Sequence, residues 1–268
     1  LQAADQLESA AEAYRRSLHL APQRAETLFN LGNVLNTQGK LADALSCYTQ
    51  AHQLRPELPV IASALVTLRQ HLGLWEGTAE LAAQVLGQLR DNSEVSGSDL
   101  APPFQMLCLP LEVTAREQRQ ATQRWVQANL GKITPFLHPH PQRRALQDQA
   151  RKLRIGYLSS DFHAHATSLL LAETIESHDR EGFEVFAYSY GIDDGSPTRR
   201  RMVKAFDVFR DIRHFSWLDA AKLIYDDQLD ILVDLKGYTA QSRPEIVACR
   251  PAPIQCNFLG YPGTMGAE

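Results

Sequence analysis

The sequence predicts an α + α/β chain, with helical repeats at the front and a Rossmann-like parallel sheet behind them. Three observations carry that prediction. The chain matches itself at a shift of 34 residues over its first helical units. From residue 153 onward, short apolar runs alternate with amphipathic stretches. The first of those runs, Leu153 to Leu158, stops at Ser159-Ser160-Asp161, passes His163 and His165, and enters a helical pattern at Thr167. A strand feeding a short loop that feeds a helix is where open α/β sheets place ligands. That loop carries an acid and two imidazoles, groups that move protons near neutral pH.

Composition narrows the class. A chain of 268 residues suggests about two domains. With 44% apolar and 22% charged residues it is ordinary for a globular protein. A net charge of −4 and a pI near 6.2 argue against a nucleic-acid partner held by overall charge. Cys47, Cys108, Cys249 and Cys256 form no CxxC pair and no secretory signal is visible, which reads as reduced thiols in a cytoplasmic protein. No apolar run approaches the roughly 20 residues that span a bilayer, so no membrane partner is expected. Leu1 falls inside a helical pattern and GYPGTMGAE follows directly on a strand pattern. The expectation is therefore of further chain on both sides.

The elements follow in order. At the 34-residue shift Leu7 matches Leu41, Ala10 matches Ala44, Tyr14 matches Tyr48, Leu20 matches Leu54 and Pro22 matches Pro56. That period is the tetratricopeptide signature. Residues 25–58 fit the repeat nearly throughout, at Leu28, Leu31-Gly32, Leu35, Gly39, Ala44, Tyr48, Ala51 and Pro56. Gly32 and Ala44 let the two helices approach, Tyr48 fills the groove beside them, and Pro56 ends the second helix. The first repeat is represented by its second helix, about 2–20. A third unit, about 59–90, is degenerate; it keeps Leu65 and Gly73 and has Trp75 at the position of Leu41. Residues 1–90 are thus read as the repeat domain. Packing alone accounts for most of these residues. The functional reading is a concave face that holds an extended peptide, with Asn30 and Asn33 bonding its backbone unless both are ordinary surface residues.

Residues 91–150 read as a linker with a helix. The stretch 91–104 is rich in Ser, Gly, Asp and Pro. A helix is expected near 111–130, with Leu111, Trp125 and Leu130 as contacts, and a Pro-broken connector over 134–142. His138 and His140 in that connector have no third ligand in the sequence, so no metal site is expected there. Residues 151–268 form the α/β domain. Strands are expected at 153–158, 183–190, 207–212, 229–235 and 253–259, and helices at about 167–178, 197–206, 217–227 and 242–249. The apolar run LDILVDL suits a strand buried on both faces. The first loop is not GxGxxG, so no dinucleotide cofactor is indicated. The glycines of GYPGTMG are by themselves a weak phosphate-loop signal, since Gly-rich strand ends are common turns.

The segments LRIGYLSSDFHAHATS, FEVFAYSYGIDDGS and DILVDLKGYTAQSRPEIVACRPAPIQCNFLGYPGTMGA together resemble the amino-terminal catalytic half of the O-GlcNAc transferases, glycosyltransferase family 41. In that family tetratricopeptide repeats precede two Rossmann-like halves of the GT-B kind, and this chain has that order. The resemblance covers residues 151–268 and implies a carboxyl-terminal catalytic half as partner, with nothing here corresponding to it. It implies transfer of N-acetylglucosamine from UDP-GlcNAc to Ser or Thr hydroxyls of proteins, with inversion, no cofactor and no metal. On this chain the family's acid falls on Asp161, its histidine on His165 and its threonine on Thr167. The family's proline before that threonine is Ala166 here, and its asparagine before the histidine is Ala164. The resemblance further implies sugar-pocket roles for Tyr238 of GYT and Leu259 before GYPGT, with Gly263 in the same substrate-binding segment. Animal members carry histidines in the linker ahead of this domain; PPFQMLCLPL has none.

Such a reaction makes two demands. Something must take or orient the hydroxyl proton, and something must stabilise charge on the diphosphate, which helix N-termini and backbone amides can do. Imidazole is mostly neutral near pH 7 and able to accept a proton. His165 is therefore read as a base, as a hydrogen-bonding group for sugar or acceptor, or as a residue that only starts a helix. Asp161 is an alternative base or a group that orients the loop by capping. Thr167 is read as capping the following helix and lying near the diphosphate. His163 is expected at the surface, Asp193-Asp194 in a turn, and Arg199-Arg200-Arg201 with Lys204 on a solvated helix face. Two other functions fit the same residues: a repeat adaptor whose α/β part binds nucleotide or peptide without catalysis, and a glycosyltransferase with a non-protein acceptor.

Overall fold

The computed structural model describes residues 2–90, 97–137 and 151–267. The chain divides into two compact units, Leu1–Asn129 with Gly266–Glu268, and Leu130–Met265. His138 and His140 lie outside the described residues. Among the described residues no helix is long and apolar enough to cross a membrane. All four cysteines are free thiols.

The first unit is helical. Helices α1 (Gln2–Leu20), α2 (Ala25–Thr37), α3 (Leu41–Leu54), α4 (Pro59–His71) and α5 (Thr78–Arg90) form the repeats. The close approach read at Gly32 is real. A Cβ there would sit 2.5 Å from the Tyr48 ring. Tyr48 is buried among Ala11, Leu31, Leu35, Ala44 and Leu65, and its hydroxyl donates to Asn33 Oδ1 at 2.7 Å. Asn33 is thus tied to the scaffold, while Asn30 is exposed. Trp75 does not take over the packing of Leu41. It precedes α5 and is 62% exposed, whereas Leu41 opens α3 and packs on the repeat core. Buried Thr78 bonds across this corner instead, accepting from Arg69 Nε and donating to the Leu74 carbonyl.

Two further helices complete this unit, α6 (Pro103–Leu107) and α7 (Ala115–Leu130). The start of α7 corrects the expectation of 111. Thr114 and Glu117 form a capping box: the Glu117 amide donates to Thr114 Oγ1 and the Thr114 amide to Glu117 Oε2. The helix belongs with the repeats, because Ala121 packs with Ala62, Val66, Ala82, Val85 and Met106.

The second unit is a five-stranded parallel sheet in the order β3-β2-β1-β4-β5. Its strands are β1 (Leu153–Ser159), β2 (Phe183–Ser189), β3 (Val208–Asp211), β4 (Ile231–Asp234) and β5 (Ile254–Asn257). Between them run α8 (Ala166–Glu176), α9 (Pro197–Ala205), α10 (Trp217–Asp226) and α11 (Pro244–Ala248). Strand alternation sorts the core into two faces. Tyr157, Val185, Ala187 and Val233 face Leu171, Ile175 and Met202 of α8 and α9. Leu158, Phe186, Tyr188 and Leu232 face Ala220, Ile224 and Ile246 of α10 and α11. Every strand and helix of this unit lies where the alternation places it, to within about two residues. The strand order turns back between β1 and β4, and the loop after β1 lies at that switch point.

Candidate active site

The loop Ser160–His165 leaves β1 at the carboxyl end of the sheet. Asp161 is its anchor. The residue is 4% exposed and carries a full set of donors. Lys236 Nζ lies 3.1 and 3.0 Å from its two oxygens, and Ser160 Oγ donates to Oδ1 at 2.7 Å. Thr167 Oγ1 stands at 3.5 Å from Oδ2, and Ser168 Oγ donates to the Asp161 carbonyl at 2.6 Å. Burial by itself raises the carboxyl. The bonds from Ser160 and Lys236 and the lysine charge outweigh it, so Asp161 is held below the ordinary carboxylate range.

Lys236 follows β4 and is 7% exposed. Its own amide donates to Asp234 Oδ1 and that of Gly237 to Asp234 Oδ2. Burial pushes the Asp234 carboxyl up in spite of those bonds. The Asp161–Lys236 pair therefore bridges the ends of β1 and β4 across the switch point.

His165 ends the loop. Its backbone is extended, at φ −141° and ψ 151°, and its Nδ1 accepts the Thr167 amide hydrogen at 3.2 Å. The helix cap expected of Asp161 or Thr167 is thus made by His165. Thr167 already lies inside α8, and Asp161 is turned toward Lys236. Asp161 Oδ2 lies 3.7 Å from His165 Nδ1, and the imidazole is 43% exposed. His163 is half-buried rather than on the surface, with Nδ1 4.0 Å from Asp194 Oδ2.

Two further ties hold the same loop. The DDGS turn forms as expected, with Asp193 and Asp194 accepting from the Gly195 and Ser196 amides. Asp194 also accepts the Ala164 amide at 3.0 Å, a bond that leads in holding its carboxyl down to about 2. Arg199 corrects the expectation of a solvated triplet. It is 3% exposed; its guanidinium donates to the Phe162 carbonyl at 3.0 Å and to Ser189 Oγ at 2.8 Å and lies 4.6 Å from the Phe209 ring centroid. The exposed Arg201 pairs with Glu176.

The other expected site residues follow β4 and β5 at the same end of the sheet. Tyr238 is buried, its hydroxyl donating to the Met265 carbonyl at 2.7 Å and its ring edge-on to Tyr261 at 5.4 Å. Burial pushes this phenol up. Leu259 is 43% exposed and has φ +71°. Gly263 lies against Tyr261, where a Cβ would stand 2.6 Å from Cζ. Of the six residues singled out, Asp161, His165 and Thr167 touch one another. Lys236 and Arg199 escaped the sequence reading. The available signals were a cation at the very end of a buried strand, and the i, i+3, i+6 alignment of Arg199 with Met202 and Ala205 on one helix face.

Comparison with known proteins places this geometry. The family model for glycosyl transferase family 41 matches residues 81–268, and the tetratricopeptide repeat model matches 25–58. The chain is 34% identical over 196 residues to the probable UDP-N-acetylglucosamine–peptide N-acetylglucosaminyltransferase SEC of Arabidopsis thaliana, covering 72% of this chain and 20% of that protein. It is 42% identical over 139 residues to the UDP-N-acetylglucosamine–peptide N-acetylglucosaminyltransferase of Caenorhabditis elegans, covering 52% and 12%. A solved point mutant of the Thermobaculum terrenum O-GlcNAc transferase superposes with a TM-score of 0.69 at 25% identity, over 99% of this chain and 49% of that one. The chain thus spans a fifth or less of these two curated relatives and about half of the solved protein. With the family model matching well over half of the sequence, on the sheet and loop just described, the chain belongs to glycosyl transferase family 41.

Proposed function

We propose that this chain belongs to an enzyme that transfers N-acetylglucosamine from UDP-GlcNAc to Ser or Thr hydroxyls of proteins. The observation that carries the reading is the joint match of the family model and the repeat model to one chain. The names of the plant and nematode relatives and of the solved bacterial protein agree with it. In the reaction a bond forms between the acceptor oxygen and the anomeric carbon while the bond from that carbon to UDP breaks. The stereochemistry inverts, and the acceptor proton leaves the hydroxyl. Charge on the departing diphosphate is met by backbone amides and helix N-termini, without a metal ion or cofactor.

His165 contacts the reacting oxygens in this reading. Asp161 fixes the loop that carries it, and Thr167, Tyr238, Leu259 and Gly263 shape the substrate side of the site. The concave face of the repeats receives an extended acceptor segment. A carboxyl-terminal catalytic half supplies the remaining nucleotide contacts, and the enzyme works in the cytoplasm. The test uses the full-length protein with radiolabelled UDP-GlcNAc and a panel of candidate proteins. Label on Ser or Thr with release of UDP is the expected result. No transfer and no UDP release would refute the reading.

A further inference from the structure

We infer that the apolar strip on the outer strand β5 seats an amphipathic helix from the carboxyl-terminal catalytic half of the enzyme. The inference rests on that half as named in the proposed function. It starts from an inverted pattern. Ile254, Cys256 and Phe258, the last one residue past β5, alternate with Gln255 and Asn257. The polar residues take the covered side, where Gln255 Nε2 donates to the Val247 carbonyl of α11 at 3.0 Å. The apolar residues take the open side. Ile254 and Phe258 are each 51% exposed, and the Cys256 residue is exposed as well. A strand with one face in water puts its polar residues on that face. β5 does the reverse, and an apolar patch of this kind marks a surface that something covers.

Register identifies the face. Ile254 pairs with Ile231 and Cys256 with Val233, and neighbours in register share a face. Ile231 and Val233 belong to the core under α8 and α9, so the strip lies on that side of the sheet. The cover stops at β4, because Val233 is 8% exposed and its neighbour strand is bare. Helix α8 has a matching open flank. Glu176 pairs with Arg201 of α9, which turns the Leu169–Glu176 flank toward α9. Leu170 and Thr174 lie on the opposite flank, toward β4 and β5, and Leu170 is 66% exposed. Helices α10 and α11 pack on the other face. Among the described residues, no helix of this unit therefore covers a trough walled by Leu170 and floored by Ile254 and Cys256. A helix is the element that closes such a face in parallel α/β sheets. This chain superposes over 99% of its length on 49% of the solved bacterial protein, and the other half is the source assigned to that helix.

The test uses the full-length protein. Ile254 is replaced by the photoreactive benzoylphenylalanine, the sample is irradiated, and the joined peptides are read by mass spectrometry. The expected partner is a peptide of the carboxyl-terminal half with helical apolar spacing around the joined residue. A cross-link to residues 138–150, to a second copy or to an added acceptor protein overturns the inference, and so does the absence of any cross-link. Cys256 gives a second reading in the wild-type protein, which needs no variant. Under a seated helix its thiol should react with iodoacetamide at least about a hundredfold more slowly in the native protein than in the urea-unfolded chain. A smaller slowing shows an open strip and overturns the inference. A full-length protein that transfers no sugar yet gives the expected cross-link counts against the proposed transfer and leaves the docked helix standing.

Discussion

Replacing Lys236 with methionine removes the cation that faces Asp161 and keeps most of the volume of its stem. The two side chains are 9% and 6% exposed and 3.0 Å apart. Losing one partner of such a pair leaves a buried charge uncompensated, at about 3–5 kcal/mol. Ser160 Oγ at 2.7 Å and Thr167 Oγ1 at 3.5 Å still face the carboxylate, so the lower end, about 3 kcal/mol, is expected. The pH dependence has a definite sign. In the wild type the Asp161 pKa is lowered by its partners. Its contribution is present above the unfolded value of about 3.9 and lost as pH falls through the folded one. Without Lys236 the burial effect dominates and the folded pKa rises above the unfolded one. The penalty is then fully present above that raised value and is relieved as pH falls through it. Hydrogen exchange of β1 and β4 peptides in the full-length protein, compared with wild type at pH 7 and pH 5, reads the loss as an opening free energy. Asp161→Asn combined with Lys236→Met removes both charges and should recover about 2 kcal/mol or more, since a buried pair replaced as a unit is often near neutral. The reasoning fails if Lys236→Met stays within about 1 kcal/mol of wild type, or if the double variant is no more stable than the single one.

Other perturbations test other parts of the argument. Arg199→Lys keeps the charge and loses the fork that reaches both the Phe162 carbonyl and Ser189. Faster exchange of the 159–166 amides and a loss of about 1–3 kcal/mol are expected, and unchanged exchange would show that this tie is dispensable. Gly32→Ala drives a methyl to 2.5 Å from the Tyr48 ring. It should destabilise the repeats by about 1–3 kcal/mol, read as a lower helical melting temperature and partly rescued by Tyr48→Leu. Thr114→Ala opens the capping box with Glu117 and should cost about 1 kcal/mol; exchange at the first turn of α7 checks it.

The elements of the sheet were legible because each apolar run of this unit ends in turn chemistry, and both faces of β1, β2 and β4 are buried. The repeat core was legible for a similar reason, since Gly32 and Tyr48 are a steric pair a short distance apart in sequence. What escaped were consequences of tertiary placement. Lys236 and Asp161 are 75 residues apart and meet only because the strand order turns back between β1 and β4. Arg199 stood in a basic triplet; its alignment with Met202 and Ala205 marks it as the one on the buried helix face, but nothing local names Phe209 as the ring it docks over. His165 was read as a base, a hydrogen-bonding group or a residue that only starts a helix; histidine is outside the usual set of caps, so the cap itself was expected of Asp161 or Thr167. The Thr114–Glu117 box was visible as T-x-x-E, beginning three residues past the start assigned to that helix.

Three separate elements reach the loop after β1. Lys236 comes from the end of β4, Arg199 from α9, and Asp194 from the turn between β2 and α9. They grip, in order, a carboxylate, a backbone carbonyl and a backbone amide. Those are the groups that would otherwise leave a six-residue connection free to take several conformations. A side chain that must meet a reacting atom within a fraction of an ångström is better fixed by such supports than by its own rotamer. Of the three, only Lys236 engages the Asp161 carboxylate, at 3.1 and 3.0 Å. The ion pair across the switch point is thus one of three independent ties on the loop that carries His165, and substitution of Lys236 removes that tie while leaving those of Arg199 and Asp194 in place.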